Sequence, residues 1–228
     1  SLDRRLTLAG LVRSWAESVD RAVMRLAGDD PLIVSTATAD ALALAADLMR
    51  LMDQVATERV PWSNLDGIVE SGLDEFWQIT RAFLAIAREH WPAHLSELGL
   101  EEPAVRRDRL IAAETIRLTA TPGPLIAAGS TGSIPATRDL LAMVARHPRG
   151  ALVLPGLDTD LDEPSWRAIG GAGEGAAHAH PQYGLKRLID HVGIDRETVE
   201  VVAPPAGHGR EAIVSDAMRP AATTDRMG

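Results

Sequence analysis

A short run of glycine and hydroxyl residues is the part of the sequence that favours chemistry most clearly. It follows the apolar stretch 125–128 and precedes Pro135, a residue suited to the first turn of a helix. Backbone N–H groups at such a strand-to-helix turn attract anions. We therefore predict a weak anion- or DNA-phosphate-binding turn formed by Gly129, Ser130, Thr131, Gly132 and Ser133.

The same turn lacks the residues that a nucleotide-hydrolysing enzyme needs. A P-loop requires Gly-Lys-Ser/Thr, because its lysine reaches the β- and γ-phosphates. The only lysine of this chain is Lys186, far from the turn in sequence. We therefore predict no catalytic residue and no ATP hydrolysis in this chain.

Two further groups of residues are candidates for metal binding, and neither has the spacing of a known site. Asp158, Asp160 and Asp162 alternate as in a calcium loop, but the sixth and twelfth positions are Glu163 and Ile169 instead of glycine and glutamate. The alternative is a turn capped by aspartate. His178 and His180 lack a third ligand at a supportive spacing. We predict no metal site and no cofactor.

Composition narrows the class of protein. The 228 residues carry a net charge of −9 and contain no cysteine, which excludes disulfides and thiolate metal sites. No apolar run approaches the roughly 20 residues that span a membrane, and no N-terminal leader is recognisable. A cytoplasmic protein without a membrane partner is expected. The acidic balance disfavours strong DNA binding by the chain alone, and its arginine clusters, at 4–5 and 106–109, are interpreted as solvated helix faces.

The periodicity predicts a helix-rich α/β protein in two parts: an all-helical subdomain, 1–120, and a small parallel α/β layer, 121–228. Apolar residues spaced three and four apart indicate helices throughout the first part, with Trp15, Trp77 and Trp91 in its core. In the second part we predict strands at 125–128, 151–154 and 199–202, helices at 134–146, 181–192 and 210–218, and an unstructured tail from Pro220. So thin a sheet suggests a piece of a larger protein.

Several strings together resemble the AddB subunits of AddAB helicase–nucleases, in their alphaproteobacterial branch. The likeness covers nearly the whole chain, and the string at 127–137 is its most specific part. The matching strings are Arg4-Arg-Leu-Thr-Leu-Ala-Gly-Leu-Val12, Trp91-Pro-Ala-His-Leu-Ser-Glu-Leu-Gly99, Pro103-Ala-Val-Arg-Arg107, Ala127-Ala-Gly-Ser-Thr-Gly-Ser-Ile-Pro-Ala-Thr137, Gly150-Ala-Leu-Val-Leu-Pro-Gly-Leu-Asp158 and His180-Pro-Gln-Tyr-Gly-Leu-Lys186.

The resemblance implies an internal, helicase-like fragment of a subunit that repairs double-strand breaks. Its α/β part would belong to a RecA-like layer of the superfamily 1 helicase type that has lost motor function. An AddA-like helicase–nuclease subunit would be the partner, and DNA would bind in the full complex. The nuclease and iron–sulfur residues of the family have no counterpart here. The alternative is a small-molecule or phosphate-binding enzyme that uses the turn at 129–133.

Overall fold

The computed structural model describes residues 1–26, 35–67, 74–170, 177–203 and 209–224. It divides into two compact units, Ser1–Asp108 and Arg109–Gly228. The sequence pattern changes at residue 121, whereas the second unit begins earlier, inside the helix that precedes the first strand. Both β-strands of the described part lie after residue 121.

The first unit is helical, with helices α1 (Leu2–Leu26), α2 (Thr38–Glu58), α3 (Asp74–Ala85) and α4 (Trp91–Glu97) and the start of α5 (Pro103–Thr119). The three-and-four spacing of apolar residues places one stripe of each helix inside. Its core contains Leu8, Val12, Leu48, Met52 and Ile86, all buried.

A change in helix type separates α3 from α4. Residues Ile86–His90 form a π-helical turn directly before α4, in which Pro92 occupies the first turn. Proline has no N–H to donate to the preceding turn, so the helix needs a local adjustment at this place. This adjustment takes the form of the π-turn that ends just before Pro92.

The tryptophans differ in burial. Trp91 is buried in the core, and its indole N–H donates to the Glu102 carboxylate. Trp15 is half-buried and lies 4.9 Å, centroid to centroid, from the Phe83 ring. The core prediction is thus confirmed for Trp91 and partly for Trp15. The side chain of Trp77 lies outside the described residues.

The second unit contains a two-stranded parallel sheet. Strands β1 (Leu125–Ala128) and β2 (Gly150–Val153) pair in parallel, with Leu125 opposite Gly150, and helix α6 (Pro135–Arg146) connects them. Further helices are α7 (Glu163–Ala168), α8 (Tyr183–Val192), α9 (Arg210–Ala217) and α10 (Ala221–Thr224). A helix-rich α/β protein with a small parallel sheet is confirmed.

The described residues cover one face of this sheet and leave the other open. Helix α6 packs on both strands, while the alternate side chains point away from it. Ile126 and Val153 are 72% and 39% exposed. Parallel sheets usually bury both faces, so this face is an apolar surface that the described residues leave uncovered.

Two expectations for the C-terminal region are wrong. Residues 199–202 form no strand: they follow a 3₁₀ turn, Arg196–Thr198, and Val201 and Val202 are 66% and 81% exposed. Their β-branched character favours a strand, but a strand also needs a neighbouring edge to pair with. The tail is not wholly unstructured either, because α10 forms a helical turn and buries Thr223.

Candidate functional site

The predicted turn connects β1 to α6. The Gly129 N–H donates to the Val153 carbonyl, 3.0 Å away, which extends the pairing of the two strands by one residue. Helix α6 then begins at Pro135, after Ile134 in an extended conformation. The five predicted residues therefore lie together at the carboxyl end of β1, where open α/β sheets commonly bind ligands.

Internal hydrogen bonds fix the centre of this turn. Gly132 has a φ of +62°, a conformation that glycine adopts without strain. Its N–H donates to the Ser130 hydroxyl oxygen at 3.3 Å. The buried guanidinium of Arg138 donates to the carbonyls of Gly132 and Ser133, at 3.1 and 3.2 Å. The turn is therefore held from both sides by its own chain.

Helix α8 packs against the same turn. A Cβ atom on Gly132 would lie 3.3 Å from the side chain of Leu188, and one on Gly184 would lie 3.4 Å from Thr131. The approach at Gly132 favours glycine, because Leu188 would have to move to admit a Cβ atom, whereas the distance at Gly184 is an ordinary van der Waals contact. The tertiary structure thus uses the turn as a packing surface between β1, α6 and α8.

Sequence reasoning missed Arg138. Arg138 lies five residues beyond Ser133 in the sequence. The signal was an arginine on the first turns of an otherwise apolar helix face. Its guanidinium binds carbonyl oxygens, so in this arrangement it stabilises the loop itself.

Some capacity to bind an anion remains. No hydrogen bond is formed, within the described part of the chain, by the backbone N–H groups of Ser130, Thr131 and Ser133. Helix α6 also begins without a side-chain cap. Free N–H groups and the helix dipole favour negative charge. Anion binding by the turn stays a prediction.

The single lysine is engaged elsewhere. The Lys186 ammonium lies 5.3 Å from the centroid of the Trp166 ring and 3.3 Å from the Asp190 carboxylate. Arg196 lies over the same ring at 4.8 Å. Both cations therefore pack against the Trp166 ring in the core of the second unit.

The first aspartate of the alternating run organises the loop after β2. Oδ1 of Asp158 accepts hydrogen bonds from the N–H groups of Asp160 and Leu161, each at 3.0 Å, and from the Ser215 hydroxyl at 3.1 Å. Its own N–H donates to the Gln182 side chain at 3.2 Å. These hydrogen bonds match the alternative of a turn capped by aspartate. Those with Gln182 and Ser215 also connect the loop to the start of α8 and to α9.

The third aspartate caps helix α7. Hydrogen bonds from Ser165, with the Arg219 guanidinium, lower the pKa of Asp162 to about 2. The Ser165 N–H donates at 2.8 Å, and the Ser165 and Thr223 hydroxyls lie 2.8 Å apart. Asp162 therefore caps α7 and pairs with Arg219, while Ser165 connects α7 to Thr223 in the tail that the sequence predicts to be unstructured.

The described residues contain no group of three or more His, Asp or Glu side chains that could hold a metal ion. His180 is already engaged at both ring nitrogens: Nε2 lies 2.8 Å from the Met218 carbonyl, and Nδ1 accepts from the Gln182 N–H at 3.1 Å. His178 instead makes an edge contact with Tyr183 at 5.3 Å.

Two of the clustered arginines, Arg4 and Arg107, are less exposed than the sequence predicts, whereas Arg5, Arg106 and Arg109 are exposed as predicted. Arg4 is only 9% exposed and pairs with Asp53 at 2.8 Å and Glu102 at 2.9 Å. Arg107 contacts Asp108 at 3.3 Å and Thr57 at 3.2 Å. Both guanidinium groups therefore form polar contacts within the helical unit.

Within the described ranges, no helix combines the length and apolarity needed to cross a bilayer. No protein-family model matches this chain, and no curated protein or solved structure matches it either.

Proposed function

We propose that this chain is a non-catalytic, helicase-like segment of an AddB-type subunit, acting in the cytoplasm in the repair of DNA double-strand breaks. It would serve as a scaffold that contacts an AddA-like subunit, with DNA bound by the full complex. The sequence strings at 4–12, 91–99, 103–107, 127–137, 150–158 and 180–186 support this parentage. In this proposal the sheet of β1 and β2 belongs to a RecA-like layer.

One observation carries the non-catalytic part of the proposal. The turn stands where a P-loop would stand, yet Arg138 binds its carbonyls and Ser130 binds the Gly132 N–H. In a P-loop a lysine follows the last glycine, whereas here Ser133 follows Gly132, and the single lysine, Lys186, pairs with Asp190. Such a turn supports the fold without supporting phosphoryl transfer.

Binding to the partner subunit tests the proposal. The chain is mixed with a purified AddA-like subunit, and the mixture is analysed by size-exclusion chromatography with and without duplex-end DNA. We expect co-elution, and no DNA-stimulated phosphate release by the chain alone. Separate elution of the two proteins, or DNA-stimulated turnover by the chain alone, would overturn the proposal.

The unpaired N–H groups of Ser130, Thr131 and Ser133 favour a second candidate, a phosphate-binding enzyme. Calorimetry with ATP and with inorganic phosphate separates the two. Micromolar binding of ATP by the chain, lost on Gly132→Val, favours the enzyme. Binding weaker than millimolar favours the scaffold.

A further inference from the structure

A groove of about 780 Å³ opens beside the carboxyl end of β2. Its walls are the end of β2, the extended segment 199–203 and the face of α9. All of these belong to the second unit. The groove is separate from the turn at 129–133, and no residue of that turn lines it.

The walls of this groove are apolar and exposed. Val153, Val201, Val202 and Val214 line it, with exposed fractions of 39%, 66%, 81% and 57%. Isolated apolar residues on a surface are ordinary, whereas a contiguous patch that lines a concave surface is typical of an interaction site.

The rim of the groove is acidic. Asp160, Glu200 and Glu211 are exposed, and none forms an ion pair within the described part of the chain. Asp158 adds a fourth carboxylate at the base, and Arg210 is the one basic residue among the lining residues. This imbalance attracts cations and repels nucleic acid.

The sheet itself is incomplete at this place. β2 pairs with β1 on one side, and no described strand pairs with its other edge. An open strand edge favours an added extended segment, whose main chain pairs with the strand and whose alternate side chains point to opposite sides. At about 3.3 Å per residue, about five residues would span the length of segment 199–203.

We propose that this groove docks an extended segment of another protein in which apolar residues alternate with arginine or lysine. The apolar side chains contact Val153, Val201 and Val214, and the basic side chains meet Glu200 and Glu211. The charge complementarity selects this occupant over an acidic or purely apolar one. The inference goes beyond the proposed repair function, since it concerns a surface distinct from the turn and does not require that parentage.

Fluorescence anisotropy of the 228-residue chain with a labelled peptide of alternating valine and arginine tests the proposal. We expect saturable binding, at least about tenfold weaker for a valine–glutamate peptide and for a serine–arginine peptide. The double variant Glu200→Lys/Glu211→Lys should bind the first peptide about tenfold more weakly, because it reverses two exposed charges at the rim.

The matched control is Glu89→Lys/Glu97→Lys. It makes the same change of charge at two exposed glutamates of the helical unit, and it should bind like the unaltered chain. Equal loss in both double variants would show non-specific attraction and overturn the proposal. Since all four glutamates are exposed, both variants should melt like the parent.

Hydrogen exchange of the chain locates the binding. We expect the β2 amides to gain protection when the valine–arginine peptide is added. Strong mutual protection of β2 and residues 199–202 in the free chain would mean that the chain's own segment fills the groove, which overturns the proposal. Dimerisation that depends on concentration and competes with the peptide would show that a second copy of the chain occupies the groove, and this would also overturn the proposal.

Discussion

Replacement of Arg138 by methionine tests whether the turn at 129–133 is held mainly from within. Methionine keeps most of the buried aliphatic stem and removes the guanidinium. The carbonyls of Gly132 and Ser133 then lose their donors at 3.1 and 3.2 Å. A hydrogen bond from a charged donor contributes about 1.5–3 kcal/mol, and the lengths here favour the lower value. We therefore expect a loss of about 3 kcal/mol.

Urea denaturation followed by far-UV circular dichroism measures the loss. With a slope of about 2 kcal/mol/M, the midpoint of the second unit should fall by about 1.5 M. The amide hydrogens of residues 125–146, next to the turn, should exchange faster in Arg138→Met than in the unaltered chain. Arg138→Lys keeps one charge but loses the planar fork, so about half of the effect should remain.

The control is Arg167→Met, in the same unit. Arg167 pairs with Glu163 at 2.8 Å, but its side chain is 75% exposed. Such a pair contributes about 0.5 kcal/mol. If Arg138→Met and Arg167→Met unfold at the same urea concentration, Arg138 does not hold the turn and the reasoning fails.

Three further predictions follow from the burial and geometry of single residues. Trp91→Ala should lower the free energy of unfolding of the helical unit by about 3–5 kcal/mol, because the ring is 4% exposed; an unchanged urea midpoint would contradict its burial. Gly132→Ala should destabilise more than Gly156→Ala in thermal melts, since both have positive φ but only the former brings a Cβ to 3.3 Å from Leu188; equal melting temperatures would refute the contact. Because the pKa of Asp162 is lowered to about 2, its ionised carboxylate stabilises the fold above a pH of about 4, and this stabilisation is lost as the pH falls to about 2. The melting temperature of Asp162→Asn should therefore depend less on pH in this window than that of the unaltered chain. Parallel pH profiles of the two proteins would contradict this role.

The prediction of the elements succeeded where a local signal was strong. Pro135 and the apolar run before Gly129 predicted β1, the turn and α6 within one residue of their observed limits. Pro92 likewise coincides with a local change in the helix, the π-turn Ile86–His90. In both cases the residue itself restricts the backbone, so its effect does not depend on distant neighbours.

The failures all concern contacts between distant residues. The valines at 199–202 have the side chains of a strand, but pairing depends on a sheet edge that no local pattern specifies. Residues 221–224 read as an unstructured tail, yet Thr223 is buried beside Ser165, 58 positions earlier.

For the candidate site, the sequence by itself determined the five residues of the turn, the lack of a nearby lysine and the absence of cysteine. Only the tertiary structure decided what the turn does within the fold. Its carbonyls accept hydrogen bonds from Arg138, and α8 approaches so closely that a side chain at Gly132 would require Leu188 to shift. The physical reason is the distance along the chain over which each effect acts. The shape of a turn depends on the dihedral angles of neighbouring residues, whereas its contacts depend on how helices distant in sequence pack against it.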